Sequence, residues 1–216
     1  MAMNVLALYN IALGALGERT LDSTAENRSA RRELDKVYNN GNGAVPTMLH
    51  QGLWNFAITR SQLTISTSTS PAFGYTNSYT LPSDFVRLVN ISTSSSMVDP
   101  LLRYEIEGTN IQSDSTAVFI RYVSDSTNYG ADLSKWPETF TLWAGHWLAT
   151  QVYPTIREPR VSRADLQALT DRLLTIARQR NAAESAVPFP ERGLTTMEHR
   201  ELDYQVEILS GLPRGE

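Results

Sequence analysis

Residues 61–133 constrain the fold of this chain more than any other stretch. They are rich in Ser, Thr, Tyr and Val, and apolar and polar residues alternate through them, as in half-buried β-strands. Two alternating runs, residues 101–107 and 117–123, flank a polar middle that contains Gly108 and Asn110. This arrangement predicts a β-hairpin. Because helical periodicity precedes and follows the stretch, the sequence predicts an α+β fold with an antiparallel β-module inserted into a helical bundle.

Three helices are predicted before the β-module. The first is capped by Asn4 and ended by Gly17, which suits the left-handed residue after a helix. The second starts at Ser23, because Ser23 and Glu26 have the spacing of a capping box. The third covers about residues 46–60 and places Trp54 and Phe56 in the core.

Several short strands are predicted within the β-module. They cover residues 63–67, 73–81, 85–92, 97–107 and 116–123. Polar turns such as Pro82-Ser83-Asp84 separate them, so we expect a small antiparallel sheet or sandwich. The frequent Ser and Thr residues fit strands with one solvated face, and this also applies to Glu105 and Glu107.

Two helices are predicted after the β-module. The first has Pro137 at its first position, and its aromatic residues, among them Trp143 and Trp147, make it the expected centre of the core. The second is capped by Ser162 and runs to about Glu184. Its predicted apolar stripe consists of Leu166, Leu169, Leu173, Ile176 and Ala177. The predicted domains are a helical bundle of residues 1–60 plus 134–185, the β-module of residues 61–133, and an extended C-terminal arm of residues 186–216.

The C-terminal arm begins where Val187-Pro188-Phe189-Pro190 cannot continue a helix. Apolar residues remain frequent beyond this point, which is not typical of a disordered tail. We therefore expect the arm to dock on a neighbouring subunit or partner, although a strap folded back on its own domain has the same pattern. The predicted anchors are Phe189, Leu194, Tyr204 and Leu209.

No catalytic, cofactor-binding or metal-ligating constellation is predicted. The chain has no cysteine, which excludes disulfides, thiolate zinc sites and a cysteine nucleophile. His50, His146 and His199 lack metal-ligand spacing. The net charge of −4 argues against an extended basic surface for nucleic acid. No apolar run reaches about 18 residues, so no membrane span is predicted.

A basic connection precedes the last predicted helix. It contains Arg157, Arg160 and Arg163, the sharpest local cluster of positive charge in the chain. These arginines are candidates for contact with phosphates or with an acidic partner surface. The alternative is a solvated rim, which is the commoner role of arginines in a loop.

Short motifs follow one another in a distinctive order over residues 10–150. They are Asn10-Ile11-Ala12-Leu13 with Leu16-Gly17-Glu18, Leu53-Trp54-Asn55-Phe56-Ala57, Tyr79-Thr80-Leu81-Pro82-Ser83-Asp84-Phe85, Tyr104-Glu105-Ile106-Glu107-Gly108, Arg121-Tyr122-Val123 and Trp136-Pro137-Glu138-Thr139-Phe140. In this order they resemble the tail tubular protein A family, the head-to-tail adaptors of short-tailed bacteriophages. The residues after Ala186 resemble no part of that pattern.

The resemblance implies a structural virion protein rather than an enzyme, with no cofactor. Members of the family form a ring, usually of roughly twelve copies, between the portal protein at the capsid vertex and the tail nozzle. The helical domain builds the ring, the β-module faces the tail, and the C-terminal segment reaches the portal. DNA passes through the lumen without specific binding, and no membrane is involved. The protein would be made in the host cytoplasm and reside in the virion tail.

Two other functions fit the sequence. A glycan-degrading enzyme of the phage tail would need a pair of carboxylates in a cleft. A carbohydrate-binding module could use an exposed stacking surface made of Tyr75, Tyr79, Tyr104 and Tyr122. Sheet packing would explain those tyrosines equally well.

Overall fold

The computed structural model describes residues 3–39, 43–66, 71–156 and 161–184. Within them the elements are α1 (Val5–Leu16), α2 (Ser29–Tyr38), α3 (Ala44–Leu49), β1 (Ile58–Leu63), β2 (Asn77–Thr80), β3 (Phe85–Ser92), β4 (Glu105–Glu107), β5 (Asn110–Ser113), β6 (Val118–Ser124), α4 (Glu138–Val152) and α5 (Arg163–Ala183). Helices precede and follow the strands, so the predicted α+β class is confirmed. The arm predicted at residues 186–216 lies outside the described residues.

The first predicted helix is confirmed together with both of its caps. Asn4 Oδ1 accepts a hydrogen bond from the Ala7 N–H at 2.8 Å. Gly17 has a φ of 74°, and its N–H returns to the carbonyl of Gly14. Glycine reaches this left-handed backbone without steric cost, so α1 ends where the sequence predicts.

The second helix begins later than predicted, at Ser29 rather than Ser23. The two residues of the predicted capping box cap a turn instead. Ser23 Oγ accepts from the Ala25 N–H, and Glu26 Oε2 accepts from the Asp22 N–H, both at 3.1 Å. These side chains accept hydrogen bonds from backbone N–H groups of a turn that precedes the helix. The residue pattern of a capping box can therefore occur without a helix.

The third helix is much shorter than predicted, since α3 ends at Leu49. The chain next forms a short 3₁₀ turn at Asn55–Ala57 and then enters β1. The indole of Trp54 folds back to within 2.9 Å of the position that a Cβ on Gly52 would occupy, so only glycine fits there. Phe56 lies in the 3₁₀ turn and not in a helix. Arg60, which was predicted to lie on the helix, lies in β1.

The strands form two antiparallel sheets of three strands each. Sheet A has the order β1-β6-β3, and sheet B has the order β2-β5-β4. The predicted hairpin of residues 101–107 with 117–123 is wrong. β4 turns at Gly108, which has a φ of 60°, and pairs with β5, while β6 lies in the middle of sheet A. Only two residues connect β4 to β5, whereas a longer loop would connect β4 to residues 117–123. The shorter loop costs less conformational entropy to close, and this favours β5 as the partner.

Two hydrophobic clusters stabilise residues Met1–Glu184, which form one compact unit. The first lies among the helices and contains an aromatic group in which the Trp54 and Phe140 rings meet edge to face at 4.7 Å. Trp54 and Trp143 are buried as predicted, whereas Phe56 and Trp147 are half-buried. The second takes Tyr79 and Ile111 from sheet B and residues such as Ile120 from sheet A. Sheet A contributes to both clusters, because its Ile58 and Val123 pack against the helices.

The last two helices occupy the predicted places with local differences. Pro137 stands before the first turn of α4, not in it. In α5, Leu166 and Ala177 of the predicted stripe are buried and Leu173 is half-buried. Leu169 and Ile176 are exposed, because the buried face of α5 includes Thr170 in place of these two residues. The Thr170 hydroxyl donates to the Leu166 carbonyl.

Candidate interaction surfaces

Clustered catalytic groups are scarce in the part of the chain that the structure describes. No group of three or more His, Asp or Glu side chains there is placed to hold a metal ion. His146 Nδ1 lies 2.9 Å from the Leu142 carbonyl of its own helix, His50 is exposed after α3, and His199 lies outside the described residues. No described helix is long and apolar enough to cross a membrane.

A cleft of about 370 Å³ lies between α4 and α5, beside the contact of the two helices. Trp143 and Trp147 form part of its wall, and Asp171 and Arg163 bring opposite charges to it. Its other lining residues are Gln51, Thr150, Gln151, Pro154, Leu166, Gln167, Thr170 and Leu174. Arg163, from the predicted basic connection, thus lies at a cleft, while Arg157 and Arg160 lie outside the described residues.

Polar contacts at the end of α5 attach this helix to residues 51–55. Asn181 Nδ2 donates to the Leu53 carbonyl at 2.6 Å, and Asn181 Oδ1 accepts from the Asn55 N–H at 2.8 Å. Arg178 Nε donates to the Gln51 carbonyl at 2.9 Å. The segment after α3 is irregular, and these bonds give its backbone groups hydrogen-bond partners.

The predicted anchors of the arm cannot be placed. Phe189, Leu194, Tyr204 and Leu209 all lie outside the described residues. Their docking on a portal or on another subunit remains a prediction.

The proposed tyrosine stacking surface does not form. Tyr79 and Tyr122 are buried, and their hydroxyls donate to the Ser115 carbonyl at 2.6 Å and to Asp84 Oδ1 at 3.1 Å. Burial raises the pKa of Tyr79, as it does that of Tyr122, whose pKa the hydrogen bond to Asp84 raises further. Tyr75 lies under the guanidinium of Arg103, 5.1 Å from the ring centre. A sugar would not meet these tyrosines on one exposed face.

Glu105 and Glu107 lie where predicted, on the solvated surface of a strand. Their strand, β4, is the edge of sheet B and pairs with β5 alone in that sheet. Glu107 Oε2 accepts from Gln112 Nε2 at 3.3 Å. Neither carboxylate forms an ion pair with a described residue. We call Glu105–Glu107 the acidic edge.

Sheet A carries a basic surface that sequence reasoning missed. Arg60 of β1 is the direct cross-strand partner of Arg121 of β6. Arg87 of β3 is paired with Val123, two residues along β6 from Arg121, so all three arginines lie on one face. We call Arg60, Arg87 and Arg121 the arginine face. The arginines are far apart in the sequence, and only the strand register, which the sequence does not reveal, brings them together.

An apolar tip lies at the loops of the β-module. Phe73, Val98 and Leu102 expose 89%, 74% and 88% of their surface. Arg103 holds two of these loops together, because its guanidinium donates to Asp114 at 2.9 Å and to the Gly74 carbonyl at 3.1 Å. Arg103 thus brings the loops of Phe73 and Leu102 together, and neighbouring exposed apolar side chains are typical of contact surfaces.

Three surfaces thus stand out in the described part of the chain: the α4–α5 cleft, the arginine face and the apolar tip. Each presents exposed or partly exposed side chains that a second macromolecule could contact. A scan of the chain against protein-family models matches none of them, and a search of curated proteins finds no match.

Proposed function

We propose that the chain is a head-to-tail adaptor of a short-tailed bacteriophage, a structural virion protein. In this proposal it forms a ring between the portal protein and the tail nozzle, at the portal vertex of the capsid. The ordered motifs of residues 10–150 motivate the proposal. It is also supported by the element order, in which helices α1–α3 and α4–α5 enclose a β-module.

The observation that carries the proposal is that motifs distant in sequence meet in the fold. Trp54 and Phe56 of one motif pack on Phe140 of another, with ring centres 4.7 and 4.9 Å apart. Asp84 of a third motif accepts hydrogen bonds from Tyr122 and Ser124 and so ties the start of β3 to the end of β6. Motifs whose residues contact one another in the fold support a common packing arrangement. Their joint presence is therefore a stronger indication of the family than any one of the short motifs.

The apolar tip is assigned to the tail side. Phe73 and Leu102 are the most exposed large apolar side chains of the described residues. Burying them against a nozzle would remove their apolar surface from water, which is the main driving force of such assemblies. The tip therefore supplies a contact of the kind that an adaptor needs at its lower face.

The charge of the chain is compatible with passage of DNA through a lumen. A net charge of −4 disfavours stable contacts with phosphates over the surface as a whole. Under this proposal DNA slides past the ring without specific binding, while the partners held firmly are other copies of the chain, the portal protein and the nozzle.

Sedimentation of the purified chain, alone and mixed with the portal protein of the same phage, tests the proposal. We expect the chain to join a complex whose mass corresponds to a ring of roughly twelve copies on the portal. A chain that stays monomeric in the presence of the portal contradicts the proposal. Assays of glycan binding and degradation would then become the appropriate next measurement.

A further inference from the structure

We infer that the arginine face of one copy binds the acidic edge of a second copy. The inference rests on the proposed ring, in which identical copies are neighbours, and it specifies which parts of sheets A and B touch. The arginine face is Arg60, Arg87 and Arg121, and the acidic edge is Glu105–Glu107.

The arginine face concentrates positive charge that the chain leaves without a carboxylate. Arg60 and Arg121 stand directly opposite each other on neighbouring strands, a placement that destabilises a sheet when both residues have the same charge. The strands β1, β3 and β6 contain no Asp or Glu. None of the three arginines forms an ion pair with a described residue, and Arg87 donates only to the His50 carbonyl, at 3.4 Å.

Arg121 also lacks an acceptor at a buried atom. Its Nε is buried and has no hydrogen-bond partner among the described residues. Because Nε is shielded from solvent, a carboxylate of a second copy would pair with the part of the half-buried guanidinium that solvent reaches, and would offset its charge there. A depression of about 130 Å³ opens beside Arg60, lined by Gln62, Met97 and Phe119 among others, and leaves room for an incoming side chain.

The acidic edge has the complementary form. Glu105 and Glu107 point to the same side of β4, and alternate residues of a strand are about 6.5–7 Å apart. Arginines on directly opposed strand positions have Cβ atoms about 4.5–5.5 Å apart, and their long side chains can spread to meet two carboxylates. Because β4 is an edge strand of sheet B, a second chain can reach it without displacing another strand of that sheet.

A second copy is favoured over nucleic acid by the charges themselves. Each copy brings three arginines on sheet A and two glutamates on sheet B, so copies joined head to tail place opposite charges against each other. An interface between two different surfaces of identical subunits repeats from copy to copy and closes into a ring when its rotation permits. Three arginines neutralise few phosphates, and the chain as a whole is acidic.

A charge-swap experiment on the full-length chain tests the inference. One variant carries Arg60→Glu and Arg121→Glu, and the other carries Glu105→Arg and Glu107→Arg. We expect each variant alone to associate with itself about tenfold or more weakly than the natural chain in sedimentation, with or without portal. An equimolar mixture of the two variants should recover association. In the mixture, the glutamates placed on the arginine face of the first variant meet the arginines placed on the acidic edge of the second, and the natural surfaces of the two variants also match.

The control is Arg19→Glu with Arg32→Glu, two exposed arginines outside sheet A, which changes the net charge by the same amount as Arg60→Glu with Arg121→Glu. Circular dichroism establishes that every variant is folded. The inference is overturned if the two swap variants assemble like the natural chain, or if their mixture recovers nothing. It is also overturned if Arg60→Glu with Arg121→Glu abolishes binding of a duplex DNA probe at low salt but leaves self-association intact, which would assign the face to nucleic acid.

These outcomes separate the inference from the adaptor proposal. Rings that form normally on the portal despite the swaps would refute the interface and leave the adaptor function standing. Self-association that follows the swaps, in a chain that ignores the portal, would support the interface and refute the adaptor function.

Discussion

At the scale of single residues, the absence of a side chain at Gly145 of α4 allows α1 to pack closely against this helix. A Cβ at Gly145 would lie 2.3 Å from Ile11 Cγ2 and 2.7 Å from Ile11 Cβ. Ile11 lies in the middle of α1, so it cannot retreat without moving its helix. We expect Gly145→Ala to lower the free energy of unfolding by about 1–3 kcal/mol, in spite of the better helix propensity of alanine. Urea unfolding at equilibrium measures this.

Gly14 is the matched control for this substitution. It lies in α1, and no heavy atom comes within 4 Å of the position of its Cβ. Gly14→Ala should therefore leave stability unchanged or raise it by up to about 1 kcal/mol. Equal effects of the two substitutions would mean that the helices do not pack through Gly145.

A second prediction at the residue scale concerns pH. Burial, and then the charge of Asp84, raise the pKa of Asp125. The folded state therefore holds the Asp125 proton more tightly than the unfolded state, so stability falls as the pH rises above the ordinary carboxyl pKa of about 4. We expect Asp125→Asn to be more stable than the natural chain at pH 7. The difference should shrink toward acidic pH, as thermal unfolding over a pH series would record.

Asp84→Asn provides the contrast. Asp84 accepts hydrogen bonds from the hydroxyls of Tyr122 and Ser124, and an amide can accept only on its oxygen. This variant should lose about 1–3 kcal/mol at pH 7, because a buried donor is left without an acceptor. Stabilisation by both substitutions would show that the charge of Asp84 matters more than its hydrogen bonds.

At the scale of elements, the last turns of α5 depend on Asn181. Its side chain bonds both the Leu53 carbonyl and the Asn55 N–H. We expect Asn181→Ala to cost about 1–2 kcal/mol and to speed amide hydrogen exchange at the end of α5 and in the segment it holds. Gln179→Ala removes an exposed amide from the same helix and should change neither quantity. Unaltered exchange in the Asn181 variant would contradict the role of these bonds.

The elements that the sequence predicted well are those decided by local chemistry. The caps Asn4 and Gly17 act on their own neighbours, and α1 has the predicted bounds. β3 spans Phe85–Ser92 as predicted, because a turn precedes it and alternation continues to its end. The capping pattern at Ser23 was misleading because a turn can satisfy the same donors.

The elements and surfaces that were missed depend on contacts between distant residues. The helical spacing of Leu49, Leu53 and Phe56 extended the predicted third helix to residue 60, yet β1, which begins at Ile58, gains a full ladder from β6. Strand order also decided the hairpin, since β6 lies between β1 and β3. The arginine face could not be found for the same reason, whereas Arg163 could be singled out because its neighbours in sequence are also basic.

At the scale of the whole molecule, charges of opposite sign are separated between the two sheets. The strands of sheet A contain only arginine as a charged residue, and those of sheet B contain only glutamate. Within one chain, the arginines of sheet A form no ion pair with a described carboxylate. This separation of charges is useful to a chain whose neighbours are copies of itself, since each copy then presents both halves of one contact.

We expect removal of the C-terminal segment to leave the folded unit intact and to abolish docking on the portal protein. Met1–Glu184 form a compact unit, and the described residues within it build two hydrophobic clusters. We expect a chain that ends at Glu184 to unfold cooperatively in calorimetry, near the Tm of the full chain, and yet to lose co-sedimentation with the portal protein. Serine at Phe189, Leu194, Tyr204 and Leu209 should abolish docking in the same way in a chain of full length. If the shortened chain sediments with the portal as the full chain does, the segment is not the docking arm, and the contact must lie on the helices or sheets of the folded unit.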